Sequence, residues 1–426
     1  MKSIQKLVFF SLLIIILILS PVFLSIFGVE KVYAVTPTSE IDAAIINAIA
    51  YFQTEQNDDG GLRWVDQNSS VPTTIRVVLA LSAAGFPQDK LVSGQGKHPM
   101  DFLHQEGSRW IYQQETDQPT LNLARAGQLL TAVSAANMDP YAFGVESINL
   151  VHLIKIHYDP NTGIFGDASP QNVTDQVWAM LGLASAYASI PPEAVDWLTA
   201  VQLPDGSWDD GFGGYLDMTP LGLMAFIASS NKDSDDPSVI MALDYLKTQQ
   251  QLDGGWQTDW DTSTNANTTG IIIQGIVAAG QDPTDPLWRT NNVTSIEALL
   301  DLQREDGAIG GDFTNAYSTA DAILGLACHP LYDLGHLRRI GRAFEMIFRS
   351  QESDGGWGSV GQTIDVILAA NAAGWDPNTI TPDGTTPETY IAENLGTYLE
   401  NGPDAIGKVI LGVVATGQDP SNFNGT

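Results

Sequence analysis

A short phrase that recurs along the chain constrains its fold more than any other feature of the sequence. The phrase is Gln-x-x-Asp-Gly, continued in three copies by Gly-Trp or Ser-Trp, and its copies begin at Gln56, Gln202, Gln250, Gln303 and Gln351. A weaker copy at Gln114 lacks the glycines. Asp-Gly marks a turn, because glycine adopts backbone angles that other residues resist. Recurrence of one phrase indicates a repeat protein, built from stacked units of supersecondary structure.

A second pattern, rich in alanine and leucine, lies between the turns. Aligning its copies without gaps defines a reference position, which falls on Thr74, Ala126, Gln176, Thr219, Thr269, Thr319, Thr363 and Ile406. Four and seven residues later the side chains are mostly large and apolar, whereas six and nine residues later they are small. This spacing predicts a helix with one face that fills a core and another that a neighbouring helix can approach closely.

Each repeat therefore predicts an αα-hairpin, with a helix on either side of the turn. The fold class expected is all-α, with about six to eight helical hairpins. The turn and the helix after it, which usually starts with threonine, together resemble the prenyltransferase/squalene oxidase repeat of the terpenoid cyclase and protein prenyltransferase superfamily. The resemblance covers roughly residues 40–419 and implies an α/α toroid of alternating outer and inner helices.

The resemblance also implies that the Gln, Asp and Trp of each turn fasten neighbouring hairpins. It gives this structural role to Gln202, Asp205, Trp208, Gln250, Asp253, Trp256, Gln351, Asp354 and Trp357. The residue types agree with that role, because aspartate accepts hydrogen bonds from backbone N–H groups in turns and tryptophan buries a large area.

The catalytic motif of squalene-type cyclases, Asp-x-Asp-Asp-Thr-Ala, would place its threonine at the reference position. Asp233-Ser-Asp-Asp236 matches part of this motif, but it lies far past Thr219 and directly before Pro237, so we expect a linker there. Single aspartates precede the reference position at Asp175, Asp217 and Asp404. A lone carboxyl is not tuned to protonate an alkene, and we expect each of these to cap the inner helix that follows.

The zinc site of protein prenyltransferases requires an aspartate two residues before a cysteine, and here that position is Leu326. Cys328, the single cysteine, lies in the small-residue stripe and is expected to be a packed thiol. His329 and His336 are close in sequence to Cys328, but their spacing matches no familiar set of ligands. We therefore predict no metal site and no cofactor.

The residue type two positions past the reference differs from copy to copy, whereas the positions around it on the inner helix keep one type. Its occupants are Arg76, Gln128, Trp178, Leu221, Ile271, Asp321, Asp365 and Lys408. Repeat proteins bind ligands on the surface that their stacked units create, so this position is a candidate for specificity. The ligand-binding candidates are Arg76, Gln128, Trp178, Asp321 and Asp365. The alternative is that these side chains face solvent between the helices.

The amino terminus and the charge predict where the protein acts. Lys2 and Lys6 precede an apolar run over residues 7–29, and a Val-x-Ala site ends at Ala34. Residues 1–34 are predicted to be a signal peptide or an uncleaved anchor, followed by one repeat domain over residues 35–426. The formal net charge of −31 argues against a nucleic-acid partner and against binding to anionic lipid.

These observations leave two functions open. The first is an exported protein, secreted or at the cell surface, that binds a small molecule or a surface ligand in its cavity or on its rim without catalysis. The alternative is a terpenoid cyclase-like or other toroid enzyme that uses cavity aspartates. The catalytic candidates are then Asp175, Asp217, Asp321 and Asp365.

Overall fold

A computed structural model describes most of the chain after its amino terminus. The described residues are 39–113, 120–166, 173–230, 235–258, 261–311, 313–335, 347–348, 350–372, 385–416, 418, 420–421 and 423. The predicted signal peptide, the weak turn at Gln114, Asp233 and His336 lie outside them. The chain divides into two compact units, Met1–Gly335 and His336–Thr426, so the domain predicted over residues 35–426 holds parts of both.

Outer and inner helices alternate along the described part of the first unit. The outer helices are α1 (Ser39–Glu55), α3 (Pro99–Trp110), α5 (Leu150–Lys155), α7 (Pro192–Ala200), α9 (Pro237–Thr248) and α11 (Ser295–Asp301). The inner helices are α2 (Val71–Ala83), α4 (Leu123–Ala135), α6 (Val173–Ser185), α8 (Tyr215–Ser230), α10 (Ala266–Ala278) and α12 (Ala316–Leu326).

Three two-stranded antiparallel ribbons lie in the connections of the first unit. They are β1–β2 (Tyr112–Gln113 with Thr120–Leu121), β3–β4 (Tyr158–Asp159 with Ile164–Phe165) and β5–β6 (Arg289–Thr290 with Val293–Thr294). Each ribbon is only two residues long on either side, so the fold depends on helix packing.

The inner helices form a closed ring. Each packs against the next in the order α2, α4, α6, α8, α10 and α12, and α12 then packs against α2. Six hairpins within the described residues of the first unit therefore complete a toroid, and the predicted all-α fold is confirmed. The last two reference positions, Thr363 and Ile406, lie in the second unit.

The stripe of small residues brings two pairs of inner helices into backbone contact. A Cβ atom added to Gly127 of α4 would lie 2.1 Å from the carbonyl oxygen of Trp178 on α6. One added to Gly270 of α10 would lie 2.1 Å from the carbonyl oxygen of Asp321 on α12. Only a glycine fits at such distances, so these residues set the spacing of α4 from α6 and of α10 from α12.

The tryptophan of each turn joins an outer helix to the following inner helix. The indole Nε1 of Trp256 donates to Leu246 O at the end of α9, at 2.8 Å, and its backbone N–H donates to Oγ1 of Thr269 at 3.0 Å. Trp208 makes the same two bonds, with Leu198 O and Thr219 Oγ1. The hydroxyl of the threonine at the reference position therefore accepts a hydrogen bond from the backbone N–H of the turn tryptophan.

The glutamine and aspartate of the turn complete the joint. Nε2 of Gln250 donates to Gly254 O within the turn and to Trp288 O of the next hairpin. Oδ1 of Asp253 accepts from the Gly255 N–H. Gln202 and Asp205 bond in the same way, to Gly206 O, Ser238 O and the Ser207 N–H.

The joint made by Gln303 closes the ring. Its Nε2 donates to Gly307 O in its own turn and, at 2.8 Å, to Ala44 O on α1. The sixth hairpin is thereby fastened to the first by the same kind of bond that Gln202 and Gln250 make to the hairpins after them.

The third hairpin lacks the turn glutamine but keeps its bonds. Its reference residue is Gln176, whose Oε1 accepts from the Phe165 N–H at 2.8 Å. The Nε2 of Gln176 donates to Gly163 O in the turn and to Ala194 O on α7, both at 3.1 Å. The side chain of Gln176 thus replaces two residues of the other hairpins. Its Oε1 accepts as the reference threonine does, and its Nε2 donates as the turn glutamine does.

The second unit contains α13 (Val360–Ala372), α14 (Pro387–Leu399) and α15 (Pro403–Ala415), which pack around a small apolar core. Its turn repeats the arrangement of the first unit. Trp357 Nε1 donates to Ile347 O, and its N–H donates to Thr363 Oγ1. Gln351 Nε2 donates to Gly355 O, and Oδ1 of Asp354 accepts from the Gly356 N–H.

Candidate active site in the ring interior

Polar side chains from the inner helices meet in the interior of the ring, where most of their neighbours are apolar. We call this group the interior cluster. It consists of Arg76 on α2, Trp178 on α6, Asp217 on α8, Asn267 and Thr268 on α10, and Tyr317 and Asp321 on α12. Five of the six inner helices contribute to it.

A buried ion pair lies at its centre. Nη1 of Arg76 is 3.5 Å from Oδ1 of Asp321, and their side chains are 6% and 0% exposed. Nε of Arg76 donates to the Tyr317 hydroxyl at 3.0 Å. The guanidinium carbon lies 5.2 Å from the centre of the Trp178 ring and 5.3 Å from that of Tyr317, so two aromatic rings also bind the cation.

Two adjacent residues of α10 hold the two carboxyl groups of the cluster. Nδ2 of Asn267 donates to Oδ2 of Asp321 at 3.0 Å. The hydroxyl of Thr268 donates to Oδ1 of Asp217 at 2.7 Å. Because these donors are consecutive along the chain, they tie the two carboxyls to one turn of one helix.

The electrostatics of the cluster favour a protonated carboxyl. Burial raises the pKa of Asp217, and the negative charge of Asp321 raises it further, while Thr268 and Arg76 oppose the shift. Burial also raises the pKa of Asp321, against Arg76 and Asn267. Burial alone would lower the pKa of Arg76, but Asp321 and Tyr317 hold it above its ordinary value. One cation therefore faces two carboxyls.

In this low-dielectric interior one cation beside two carboxyls favours the protonated form of one of them. Asp321 contacts the guanidinium directly, whereas Asp217 is bonded to a neutral hydroxyl. Asp217 is thus the carboxyl that keeps the proton more readily. Asp217 is also less completely buried than Asp321, whose side chain is fully enclosed.

A shallow surface depression, with no enclosed space for a water molecule, lies beside the cluster at the start of α10 and α12. It is lined by Asn265, Ala266, Asn267, Gly310, Gly311, Phe313 and Ser318. Asn267 belongs both to this lining and to the interior cluster, so the surface depression reaches the residue that holds Asp321.

A match to a known protein family falls on the part of the ring that contains these helices. Residues 110–281 match the profile of the squalene-hopene cyclase C-terminal domain. The match supports a relationship to the terpenoid cyclase and protein prenyltransferase superfamily. The matched segment contains α4, α6, α8 and α10 in full, and so includes Trp178, Asp217, Asn267 and Thr268.

Known members of this superfamily resemble the chain over part of their length. Drimenyl diphosphate synthase of Streptantibioticus cattleyicolor is 30% identical over 176 residues, which are 38% of this chain and 31% of the relative. Squalene–hopene cyclase of Bradyrhizobium diazoefficiens is 24% identical over 159 residues, which are 34% of this chain and 23% of the relative. The chain thus spans less than a third of these relatives.

Among solved structures, the chain resembles a type II terpene cyclase. A variant of MstE from Scytonema in which an arginine is replaced by alanine, in complex with the substrate geranylgeranyl dihydroxybenzoate, gives a TM-score of 0.50 at 15% identity. The likeness covers 70% of this chain and 98% of that one. At this identity it supports the toroid fold of the superfamily and nothing finer.

Three of the predicted ligand-binding residues, Arg76, Trp178 and Asp321, meet in the interior cluster. The position two past the reference is buried at Arg76, Trp178, Leu221, Ile271 and Asp321, and half-buried at Gln128. The alternative that this position faces solvent is therefore wrong for those five residues.

The predicted aspartates are divided between different places. Asp217 and Asp321 lie in the cluster, but Asp175, in the first turn of α6, accepts from the Ala124 N–H of α4 at 2.8 Å. Asp365 is in the second unit, where it pairs with Lys408 at 2.7 Å and is 64% exposed. The bonds that the structure shows for Asp175 and Asp217 both reach a neighbouring helix, α4 for Asp175 and α10 for Asp217.

Cys328 is a buried residue at the end of α12, and burial raises the pKa of its thiol to about 12. It is consequently a thiol rather than a thiolate at neutral pH. Within the described ranges, no group of three His, Cys, Asp or Glu side chains is arranged to hold a metal ion. No helix there is long and apolar enough to cross a membrane.

Sequence reasoning missed Asn267, Thr268 and Tyr317. A signal for two of them was present, because Asn267 and Tyr317 both stand two residues before their reference threonines, as Asp217 does. That position is one helical turn from the variable position two residues past the reference, so both positions lie on one face of the helix. Taking them together would have added Asn267 and Tyr317 to the predicted site, beside Asp217, which was already a catalytic candidate.

Proposed function

We propose that the chain is a terpenoid cyclase-like enzyme that protonates a carbon–carbon double bond of an isoprenoid, with Asp217 as the acid. The observation that carries the proposal is the position of Asp217. It is a half-buried carboxyl with a raised pKa, held by Thr268 and placed beside an ion pair in the ring interior. A general acid needs a pKa near the working pH, and burial with a like charge nearby provides it.

The proposed step is a proton transfer from oxygen to carbon. The O–H bond of Asp217 breaks and leaves its electron pair on the carboxylate, while the π electrons of the alkene form the new C–H bond. The resulting cation is attacked by a second double bond, which closes a ring. Loss of a proton to water restores a double bond and ends the reaction, and Asp217 is then reprotonated from solvent.

The ring supplies the partners that a lone aspartate lacks in the sequence. A neighbouring acid is provided by Asp321 of α12, and a donor network by Thr268, Asn267 and Arg76 of other helices. After the transfer the cluster holds one cation and two carboxylates. Its net charge is then negative, which stabilises a carbocation in the same cavity.

The comparisons support a cyclase over a binding protein without catalysis. The matched profile and the relatives named above are those of cyclases and synthases. Because the chain spans less than a third of those relatives, its activity and substrate are part of the proposal.

The test is conversion of linear isoprenoids, with cyclic products detected by mass spectrometry. Asp217→Asn keeps the shape of the side chain but removes the acid, so we expect turnover to fall on the order of 100-fold or more. Asp196→Asn, an exposed aspartate on α7, is the matched control and should match the wild type. An Asp217→Asn variant with full activity would refute the assignment.

Export remains part of the proposal. It rests on the basic, apolar and small-residue pattern of residues 1–34. Expression of the full chain in a bacterial host, followed by amino-terminal sequencing of the exported protein, should give a terminus at Val35. Protein that stays in the cytoplasm with Met1 intact would contradict this prediction.

A further inference from the structure

The central ion pair contains two polar atoms with unused hydrogen-bonding capacity. Nη1 of Arg76 and Oδ1 of Asp321 are both buried, and neither has a hydrogen-bond partner among the described residues. They lie 3.5 Å apart, so the charges attract each other although the geometry of a hydrogen bond is not met. Buried charged atoms with unmade bonds cost free energy, which a suitable ligand would recover.

Two other polar atoms of the pair have hydrogen-bond partners. Nε of Arg76 donates to Tyr317, and Oδ2 of Asp321 accepts from Asn267. Nη1 of Arg76 therefore keeps unused N–H groups beside an unused acceptor, Oδ1 of Asp321. The site therefore selects a group that can accept a hydrogen bond and donate one from the same atom.

We propose that Arg76 and Asp321 bind a hydroxyl group, and that the isoprenoid taken up by the ring is therefore an alcohol. This inference rests on the proposed function and specifies its substrate class. A hydroxyl group accepts a hydrogen bond from Nη1–H of Arg76 and donates a hydrogen bond through its O–H to Oδ1 of Asp321. Two atoms 3.5 Å apart can both lie within hydrogen-bonding distance of one oxygen.

Other isoprenoid classes fit the pair less well. A hydrocarbon makes neither bond and leaves both atoms unsatisfied. A ketone or an ether accepts from Arg76 but cannot donate to Asp321. A diphosphate offers only acceptors when ionised, and its negative charge would face the carboxylate of Asp321.

The position of the pair also suits the chemistry proposed for Asp217. Asn267 holds Asp321 and the next residue, Thr268, holds Asp217, so the hydroxyl site and the acid are tied to the same turn of α10. Asn267 also lines the surface depression, so the residue that holds Asp321 lies close to the surface. An alcohol bound by its oxygen at Asp321 would thus keep its hydrocarbon chain near the acid.

The experiment is a competition between farnesol, or geranylgeraniol, and the hydrocarbon of the same carbon skeleton. The ratio of kcat/KM values is read from the products of one mixture, and affinities are measured in parallel by titration of tryptophan fluorescence. The wild type should prefer the alcohol on the order of 10- to 100-fold, as expected for a hydrogen bond to a charged group. Equal conversion or equal binding of the two compounds would overturn the inference while leaving a cyclase in place.

The variant that tests the residues is the double substitution Arg76→Met, Asp321→Leu, because removing both partners leaves no buried charge unpaired. Its ratio of alcohol to hydrocarbon should fall to about one, in line with the loss of those bonds. The matched control, Lys408→Met with Asp365→Leu, removes the ion pair at the same repeat position in the second unit and should keep the wild-type ratio. A double variant that keeps the preference would overturn the inference.

Failure of the proposed function gives a different result. If no isoprenoid is converted, the cyclase proposal fails, and the fluorescence titration then decides the hydroxyl site alone. Binding of the alcohol that is lost in the double variant would support it, and no hydroxyl-dependent binding would refute it. A crystal structure with farnesol separates the alcohol from a resident water, since a water left between Arg76 and Asp321 with the alcohol elsewhere would also refute it.

Discussion

Trp256 connects three parts of its hairpin through one residue. Its indole N–H bonds the end of α9, its backbone N–H bonds Thr269 on α10, and its ring lies 6.4 Å from that of Trp288 in the following connection. The side chain is completely buried. A single tryptophan thus fixes an outer helix, the turn and an inner helix relative to one another.

Replacing this residue should weaken the ring without touching the interior cluster. We expect Trp256→Ala to lower the free energy of unfolding by about 3–5 kcal/mol, as for other buried tryptophans. Trp64→Ala is the control, because Trp64 is 55% exposed and its loss should change stability by about 0.5 kcal/mol or less. Urea unfolding of both variants checks this, and similar losses for the two would show that burial does not set the cost.

Asp217 should make stability depend on pH. Its pKa is raised above the unfolded value of 3.8, so the folded state binds more protons than the unfolded state above that pH. Stability is then lost as pH rises from 3.8 through the raised pKa. The free energy of unfolding, measured from acid to neutral pH, should fall less steeply in Asp217→Asn than in the wild type. Equal slopes would contradict the raised pKa.

The inner helices are the elements whose spacing determines the site. Gly270 lets α10 approach the backbone of α12 at Asp321, and α10 also carries Asn267 and Thr268. The small residues of one helix face therefore bring the carboxyls of α8 and α12 to their donors. Helix spacing and site geometry are controlled by the same glycine.

Gly270→Ala tests this coupling. Its Cβ would lie 2.1 Å from Asp321 O, so the helices must separate, and we expect a loss of about 1–3 kcal/mol in stability. Turnover should fall as well, because Asp321 would move with α12. Gly396→Ala in α14 meets no atom within 4 Å and should instead stabilise its helix by about 1 kcal/mol. Thermal unfolding and the cyclisation assay check both variants, and unchanged turnover in Gly270→Ala would argue against the coupling.

At the scale of the whole molecule, the first unit is a ring closed by six hairpins in the described residues. α12 packs on α2, and Gln303 bonds α1, so the last hairpin completes the surroundings of the first. The ion pair between Arg76 and Asp321 crosses this same closure. Integrity of the ring and integrity of the site are therefore linked.

Truncation should reveal that link. Residues 39–335 contain the complete ring and should unfold in one cooperative transition. Residues 39–301 lack α12 and leave the inner faces of α2 and α10 uncovered, so we expect non-cooperative unfolding and aggregation. Circular dichroism with urea compares the two fragments. A cooperative transition in the shorter one would mean that closure does not stabilise the ring.

The hairpins were predictable because their signals are local. A turn phrase and a helical period lie within one repeat, and Thr269 stands a fixed distance from the inner-helix residues it precedes. The composition of the site was not predictable, because it depends on which helices become neighbours. Asp175 and Asp217 look equivalent in sequence, yet one stands one residue before its reference position and the other stands two. One residue is a rotation of about 100° on a helix, which directs Asp175 to α4 and Asp217 to the interior.

Closure between the first and the last hairpin also sets when the site can exist. The bond from Arg76 to Tyr317 joins residues 241 positions apart, so it cannot form until nearly all of the ring has been synthesised. At ordinary translation rates, roughly 10–50 seconds separate the emergence of these two residues. During that interval the Arg76 guanidinium has neither Tyr317 nor Asp321, and the apolar faces of the early helices are open to chaperones. A partly made chain thus lacks the interior cluster, which is complete only after the last hairpin of the ring has been made.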